Sequence, residues 1–329
     1  MKIVETLGER KIIDLILKRL EQMPDTPIPF GDDISAIDLG NGKLAAIKTD
    51  MLVDKTDMPP QMSLWQAARK AVVMNISDLA AKGAKPIALL VSLGIPRHFT
   101  ENDVEEIANG LNSGAREYGA YILGGDTNEA SDLVISCAAF GTADRKNLVL
   151  RNGCKPGDMV AVTGSFGRTA AGLRILLGHV SCPARLRKRL VDSVLMPKAR
   201  LHEGLTLATT GAITASIDSS DGLAWSLHEL SRASNVGFVI DNLPVAEEAA
   251  DFAKLYKIGS AELCLYGGEE YELVVTVKPE LFESVQKKVP LMRIGQATAR
   301  SKLVLELRGR RSPIDARGWE HFKTVLQKP

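Results

Sequence analysis

Strand-like and helix-like patterns alternate along this chain, which predicts an α/β or α+β fold. Three observations carry that reading. Apolar runs of strand length are interleaved with apolar residues recurring at helical spacing. At 329 residues the chain is long for one core and comfortable for two domains. A turn-rich stretch, Arg151-Asn152-Gly153-Cys154-Lys155-Pro156-Gly157-Asp158, divides it near the middle. The expected domains are residues 1–148 and 149–329.

The first half opens with a helix, where Thr6 and Glu9 form a capping-box pattern ahead of Ile12, Ile13, Ile16, Leu17 and Leu20. Strands over 34–39 and 44–53 lead to a helix over 63–82, its start marked by Ser63 with Gln66 three residues on. A buried strand over 87–95, a helix over 102–118 capped by Thr100, and strands over 120–123 and 133–143 complete this half. The second half reads as a strand over 159–163, a helix from Arg168, a strand over 213–217 and a helix over 223–233. Strands over 238–240 and 271–277 and a helix over 281–288 follow. The basic run Arg185-Leu186-Arg187-Lys188-Arg189 is a solvated helix face, and no repeat or low-complexity tract appears.

Bulk properties narrow the function. With 45% hydrophobic and 25% charged residues and a net charge of +1, the composition is that of an ordinary soluble protein without a nucleic-acid-binding surface. The four cysteines, Cys137, Cys154, Cys182 and Cys264, have no metal-ligand spacing and read as reduced thiols. Met1-Lys2-Ile3-Val4-Glu5 runs into charges rather than a signal-peptide core, and the apolar stretch over 86–96 is too short to span a bilayer. A cytoplasmic location without a membrane partner is expected.

The chemistry concentrates in short acidic clusters flanked by Gly, Ser or Thr. They are Gly31-Asp32-Asp33, Thr49-Asp50, Asn75-Ile76-Ser77-Asp78, Gly124-Gly125-Asp126-Thr127 and Asp218-Ser219-Ser220-Asp221-Gly222. Such residues favour turns and helix caps, so the aspartates are expected to follow or end strands. Singly they are ordinary: Gly-Asp-Asp and Gly-Gly-Asp-Thr occur as plain turns, and Ser-Asp-Gly before a helical pattern also serves as an N-cap. Jointly they are not, because ionised carboxylates gathered closely raise one another's pKa unless a counter-charge is present. Hard oxygen ligands suit Mg²⁺, usually completed by substrate phosphates, and flanking glycines let backbone N–H groups approach those phosphates. The pattern points to metal-assisted phosphate chemistry.

Other phosphate and hydrolase signatures are missing. Gly164-Ser165-Phe166-Gly167-Arg168-Thr169 has the wrong spacing for a P-loop, and there are no HRD or DFG sequences. The histidines His98, His179, His202, His228 and His321 lie outside the acidic clusters in sequence, so none is assigned as a base. Tyr266-Gly267-Gly268-Glu269-Glu270-Tyr271-Glu272-Leu273 fits either an exposed hairpin or a turn that aims Glu269 at a cationic or hydrogen-bonding substrate group.

Taken in order, these motifs resemble the thiamine-monophosphate kinase family, within the superfamily of ATP-binding proteins that includes aminoimidazole ribonucleotide synthetase. The resemblance runs from Gly31-Asp32-Asp33 through Thr49-Asp50-Met51-Leu52-Val53 to Gly318-Trp319-Glu320-His321-Phe322. It implies in-line transfer of the ATP γ-phosphoryl group to thiamine monophosphate, yielding thiamine diphosphate, with ATP as co-substrate and Mg²⁺ as cofactor. It also implies an N-terminal mixed α/β domain whose sheet pairs in a homodimer, followed by a C-terminal α+β domain. By that resemblance Asp32, Thr49, Asp50, Asp78, Asp126, Asp218 and Asp221 would ligate Mg²⁺. Gly125, Asp126, Arg151 and Ser220 would contact ATP, and Asp57, Glu269 and Trp319 would border the thiamine end, where an aromatic face attracts the thiazolium cation. No general base is implied, since a phosphate monoester with second pKa about 6 is already largely dianionic near neutral pH.

The chain departs from the family pattern in places. Ile34-Ser35 stands where many members have Ala-Ala, and a tyrosine that contacts ATP in some relatives has no clear counterpart near Asn109. Lys48 stands where bacterial members often have serine, so it is not taken as a ligand; Asp57 stands in place of a common histidine. Selenophosphate synthetases would carry a reactive cysteine near the N-terminus, yet none precedes Cys137. The hydrogenase-maturation relatives end in a functional cysteine, whereas this chain ends Gln327-Lys328-Pro329. The alternatives are another superfamily enzyme such as aminoimidazole ribonucleotide synthetase, or a non-catalytic nucleotide-binding regulator.

Overall fold

Two sheets organise the chain in the computed structural model, which describes residues 4, 7–178 and 180–322. The first half contains α1 (Glu9–Leu17), β1 (Ser35–Gly40), β2 (Lys43–Val53), the one-turn α2 (Asp54–Asp57), α3 (Leu64–Ala81), β3 (Lys85–Ile95), α4 (Glu101–Glu117), β4 (Tyr121–Glu129) and β5 (Val134–Asp144). The second half begins with β6 (Met159–Val162), α5 (Arg168–Gly178), α6 (Ala184–Leu195), α7 (Leu201–Ala208), β7 (Ile213–Asp218), α8 (Leu223–Ser234) and β8 (Gly237–Ile240). It ends with α9 (Glu247–Tyr256), α10 (Ser260–Tyr266), β9 (Leu273–Val277), α11 (Phe282–Gln286), β10 (Met292–Thr298), β11 (Leu303–Leu307) and β12 (Arg310–Pro313).

The five-stranded sheet has the order β1-β2-β5-β3-β4 and is antiparallel except for β3 and β4, whose parallel pairing is joined by α4 as crossover. One face packs Leu44, Ala46 and Leu52 of β2 against α3. The other face is open: Ile37, Ile47, Met51, Leu90, Tyr121 and Phe140, which the strand register puts on that side, are all exposed. The seven-stranded sheet runs β12-β11-β8-β10-β6-β9-β7, with only β8 and β11 parallel.

Helix α3 is the central element. Ser63 and Gln66 form the expected capping box, and Thr100 and Asp103 form another on α4. Packed against the first sheet, α4, α7 and β7, α3 is buried on every side, polar residues included. The largest core joins the inner face of the first sheet to α3, α4, α5, α6 and α9, so apolar packing runs continuously across the middle of the chain.

Several expectations are corrected here. Helix α1 starts at Glu9 with Gly8 at its N-cap and no side-chain cap; Thr6 and His179 lie outside the described residues. Strand β4 extends to Glu129, so Gly124-Gly125-Asp126-Thr127 lies within the strand and not in a turn after it. Asp78 sits in the body of α3, not at a strand end. The Tyr266–Leu273 stretch is no exposed hairpin: it leaves α10 as a loop that buries Tyr271 and Glu272. Positive φ at Glu269 (64°) and Tyr271 (52°) delays the strand to Leu273. Helices α2, α7, α9 and α10 and strands β10, β11 and β12 were not anticipated.

No helix among the described residues is long and apolar enough to cross a membrane.

Candidate active site

Asn75, Asp78 and Lys82 recur at i, i+3 and i+7 and therefore share one face at the C-terminal part of α3. Asn75 Oδ1 accepts the backbone N–H of Asp50 at 3.0 Å, and its own amide donates to the Ala71 carbonyl at 3.0 Å. Lys82, fully buried, places Nζ 2.7 Å from Asp32 Oδ1, 2.8 Å from Asp33 Oδ2 and 2.5 Å from the Ser216 carbonyl. One helix face thus ties β2, the Gly31-Asp32-Asp33 turn and β7 together. Ser77, one residue before Asp78, donates to Asp218 Oδ2 at 2.7 Å.

These ties converge on three buried carboxylates, Asp33, Asp78 and Asp218, each offering an oxygen within 4.8 Å of the others. They come from a turn, a helix and the end of a strand. Burial drives the Asp78 carboxyl well above its usual 3.8; Lys48 pulls it back, and Asp218, Asp50 and Asp33 push it up again. Burial and the nearby Asp33 bring Asp218 up to about 7, against the hydrogen bond from Ser77. Asp33 moves the other way: burial would raise it, but the Arg151 guanidinium and the Lys82 ammonium together hold it below the ordinary range. Ser219 Oγ, next in sequence to Asp218, is buried without a hydrogen-bond partner among the described residues. A hard divalent cation fits this all-oxygen donor set and would relieve the crowding.

Around the triangle the expected residues are distributed unevenly. Asp32 lies at its edge, its Oδ2 accepting the Arg151 backbone N–H at 2.9 Å. The Arg151 side chain is engaged, donating through Nε to Asp33 Oδ1 at 2.8 Å and through Nη1 to the Gly31 carbonyl at 3.0 Å. Asp50 and Asp78 are bridged by Lys48, whose Nζ is 3.2 Å from one and 3.0 Å from the other. Thr49, adjacent on β2, faces the open side of the sheet because strand side chains alternate. Gly125 and Asp126 stand on the edge strand. Asp50 pairs with Cys137, Cys137 with Val91 and Val91 with Gly125, so these residues lie three strand spacings, roughly 14 Å, from Asp50. One chain does not bring Asp126 to the acidic triangle.

A second group forms where the Ser219–Gly222 segment meets the Gly267–Tyr271 loop. Glu269 N–H donates to the Ser220 carbonyl at 2.6 Å and Tyr271 N–H to the Ser219 carbonyl at 3.0 Å. Only glycine fits at 268, since a Cβ there would stand 2.6 Å from the Ser220 carbonyl oxygen. Lys70 of α3, almost fully buried, joins Glu269 Oε1 at 2.5 Å to the Asp57 carbonyl at 3.0 Å. The Asp57 carboxylate itself accepts from the Val53 N–H at 2.8 Å and the Thr56 hydroxyl at 3.0 Å. Trp319, half exposed, lies against Gly268, and its backbone N–H donates to the Asp221 carbonyl at 3.0 Å. The Asp221 side chain is 3.6 Å from Arg10; burial and the Glu9 carboxylate push it up to about 6, while Arg10 and His321 oppose. His321 is thus near an acidic cluster despite its distance in sequence. The Gly164–Thr169 stretch offers no phosphate cradle, because Glu270 accepts the Gly167 N–H at 2.6 Å and the Thr169 N–H at 3.2 Å.

Asp33, Lys48, Lys70 and Lys82 escaped assignment from sequence. The helical spacing of Asn75, Asp78 and Lys82 is a signal that singles out Lys82, and strand alternation puts Lys48 on the same face of β2 as Asp50; Lys70 carries none, since its partner Glu269 is 199 residues away.

Comparison with known proteins agrees with this geometry. Residues 31–143 match the model of the AIR synthase related protein N-terminal domain, and residues 155–308 that of the C-terminal domain. The thiamine-monophosphate kinase of Nitrosopumilus maritimus is 35% identical over 96% of this chain and 99% of its own length. This chain belongs to the thiamine-monophosphate kinase family. The family's Pyrococcus horikoshii member is 37% identical over 89% of this chain and 91% of its own length. A solved AaThiL complexed with AMPPCP and TMP superposes with a TM-score of 0.86 at 27% identity, covering 98% of this chain and 99% of that one.

Proposed function

We propose that this chain transfers the γ-phosphoryl group of ATP to the phosphate of thiamine monophosphate, giving thiamine diphosphate and ADP, as an Mg²⁺-dependent homodimer. The observation that carries the reading is the triangle of buried Asp33, Asp78 and Asp218 in a chain of this family. These carboxylates, with Asp32 and Asp50 nearby, would hold Mg²⁺, whose charge would offset the repulsion between two anionic reactants.

The chain's own residues account for the rest. Lys82 and Arg151 keep Asp33 ionised, Ser77 orients Asp218, and Asn75 fixes the β2 backbone at Asp50. No side chain need remove a proton, because the acceptor phosphate, with second pKa about 6, is mostly dianionic near neutral pH. Alignment and electrostatic clamping are then the main catalytic work. At the other end, Glu269 and Trp319 border the space for the thiamine moiety, with Lys70 holding Glu269 in place.

The dimer reading rests on the first sheet. Its open face exposes Ile37, Ile47, Met51, Leu90, Tyr121 and Phe140 as one apolar surface, which a second copy would bury. Thr49 and Asp126 lie on that same face, so pairing gives the partner subunit's Asp126 a route to the Thr49-Asp50 end of β2. Free cysteines suit a reducing cytoplasm.

Incubation with ATP, thiamine monophosphate and Mg²⁺ tests the reaction. Equimolar thiamine diphosphate and ADP are expected, and neither when Mg²⁺ is chelated. ATP bound without turnover would instead support a non-catalytic regulator.

A further inference from the structure

Lys48 lies inside the acidic centre, where a cation is expected. It shares the inner face of β2 with Asp50, two residues on, and points toward α3. Its Nζ is 3.0 Å from Asp78 Oδ2 and 3.2 Å from Asp50 Oδ1, and its side chain is only 20% exposed. Asp78 thus meets Asp33 and Asp218 in the triangle and also Lys48, which links it to Asp50. An ammonium is a compact point charge with three donors, able to bridge two carboxylates much as a metal ion does, but without replaceable ligands.

We infer that Lys48 occupies a cation position between Asp50 and Asp78, so that the centre binds one divalent ion fewer than its carboxylates would otherwise hold. This rests on the reading of the acidic triangle as an Mg²⁺ site. The ammonium does there what a divalent ion would do: it offsets the repulsion between Asp50 and Asp78 and fixes their separation before nucleotide arrives. It also repels any second cation placed beside it, which confines exchangeable metal to the Asp33–Asp78–Asp218 side. Lys48 is thus a positioning residue for the metal centre, not a ligand.

Counting bound Mn²⁺ by electron paramagnetic resonance on the full chain tests this directly. Lys48→Ala, which removes both charge and bulk, is expected to bind one Mn²⁺ more per chain than the unaltered protein, and Lys48→Arg the unaltered number. Equal counts for Lys48→Ala and the unaltered protein would overturn the inference and leave the Mg²⁺ reading standing. Absence of Mn²⁺ binding to the unaltered chain would overturn both. Lys48→Met, which removes the charge but keeps most of the bulk, supplies a second readout in thermal melts. Mg²⁺ is expected to raise its Tm more than that of the unaltered protein, and an equal rise contradicts the inference.

Discussion

Asp218 shows why a bound divalent ion would stabilise the acidic triangle. Its carboxyl is brought from 3.8 to about 7 by burial and by Asp33, so without metal the folded chain holds a proton there that the unfolded chain releases. The folded state binds more protons between about pH 4 and pH 7, and stability declines as pH rises through that window. The contribution is fully present below the unfolded value and gone above the folded one; Asp78, raised in the same direction, adds to it. A divalent ion binds only the ionised form, so the stabilisation it provides grows with pH. Thermal melts in Mg²⁺ and in chelator are expected to differ little at pH 5 and by several degrees at pH 8. A constant difference across that range would mean that Asp218 is not part of the metal centre.

At the level of elements, the proposed role of Asp126 depends on how closely β3 and β4 approach. A Cβ on Gly125 would lie 1.7 Å from the Val91 carbonyl oxygen, a contact with backbone that no rotamer relieves. Gly125→Ala is expected to separate the two strands, shift Asp126 and lower kcat/KM at least 100-fold, since small misplacements at a phosphoryl-transfer site have effects of about that order. Steady-state kinetics with a circular dichroism control would check this; unchanged turnover would remove β4 from the site. Much of this architecture was legible in the sequence. The Ser63–Gln66 capping box and the apolar runs of β2 and β5 located the central helix and first sheet from local spacing alone. The short elements α7, α10 and β12 went unseen because so few residues establish no period. Site membership followed a similar division. Aspartates announced themselves through their Gly and Ser neighbours, whereas the burial of Lys70 and Lys82 is decided by partners 199 and 134 residues away.

For the whole molecule, the inner face of the first sheet and the helices of the second half share one core, and α3 packs against β7, with Ser77 beside Asp78 bonded to Asp218. The proposed domains, residues 1–148 and 149–329, therefore meet along the line that carries the acidic triangle. The outer face of the same sheet remains apolar and open, and Asp126 stands on it, three strands from Asp50. A kinase centre needing both residues is complete only when two chains pair. Asp50→Asn and Asp126→Asn, each made alone, are expected to fold, to sediment as dimers and to lose Mg²⁺-dependent turnover. Mixing the two variants under conditions that exchange subunits is the most direct test. If the partner subunit's Asp126 completes the centre, each mixed dimer holds one intact site, and thiamine diphosphate formation reappears. No recovery after demonstrated exchange would contradict a site shared between chains.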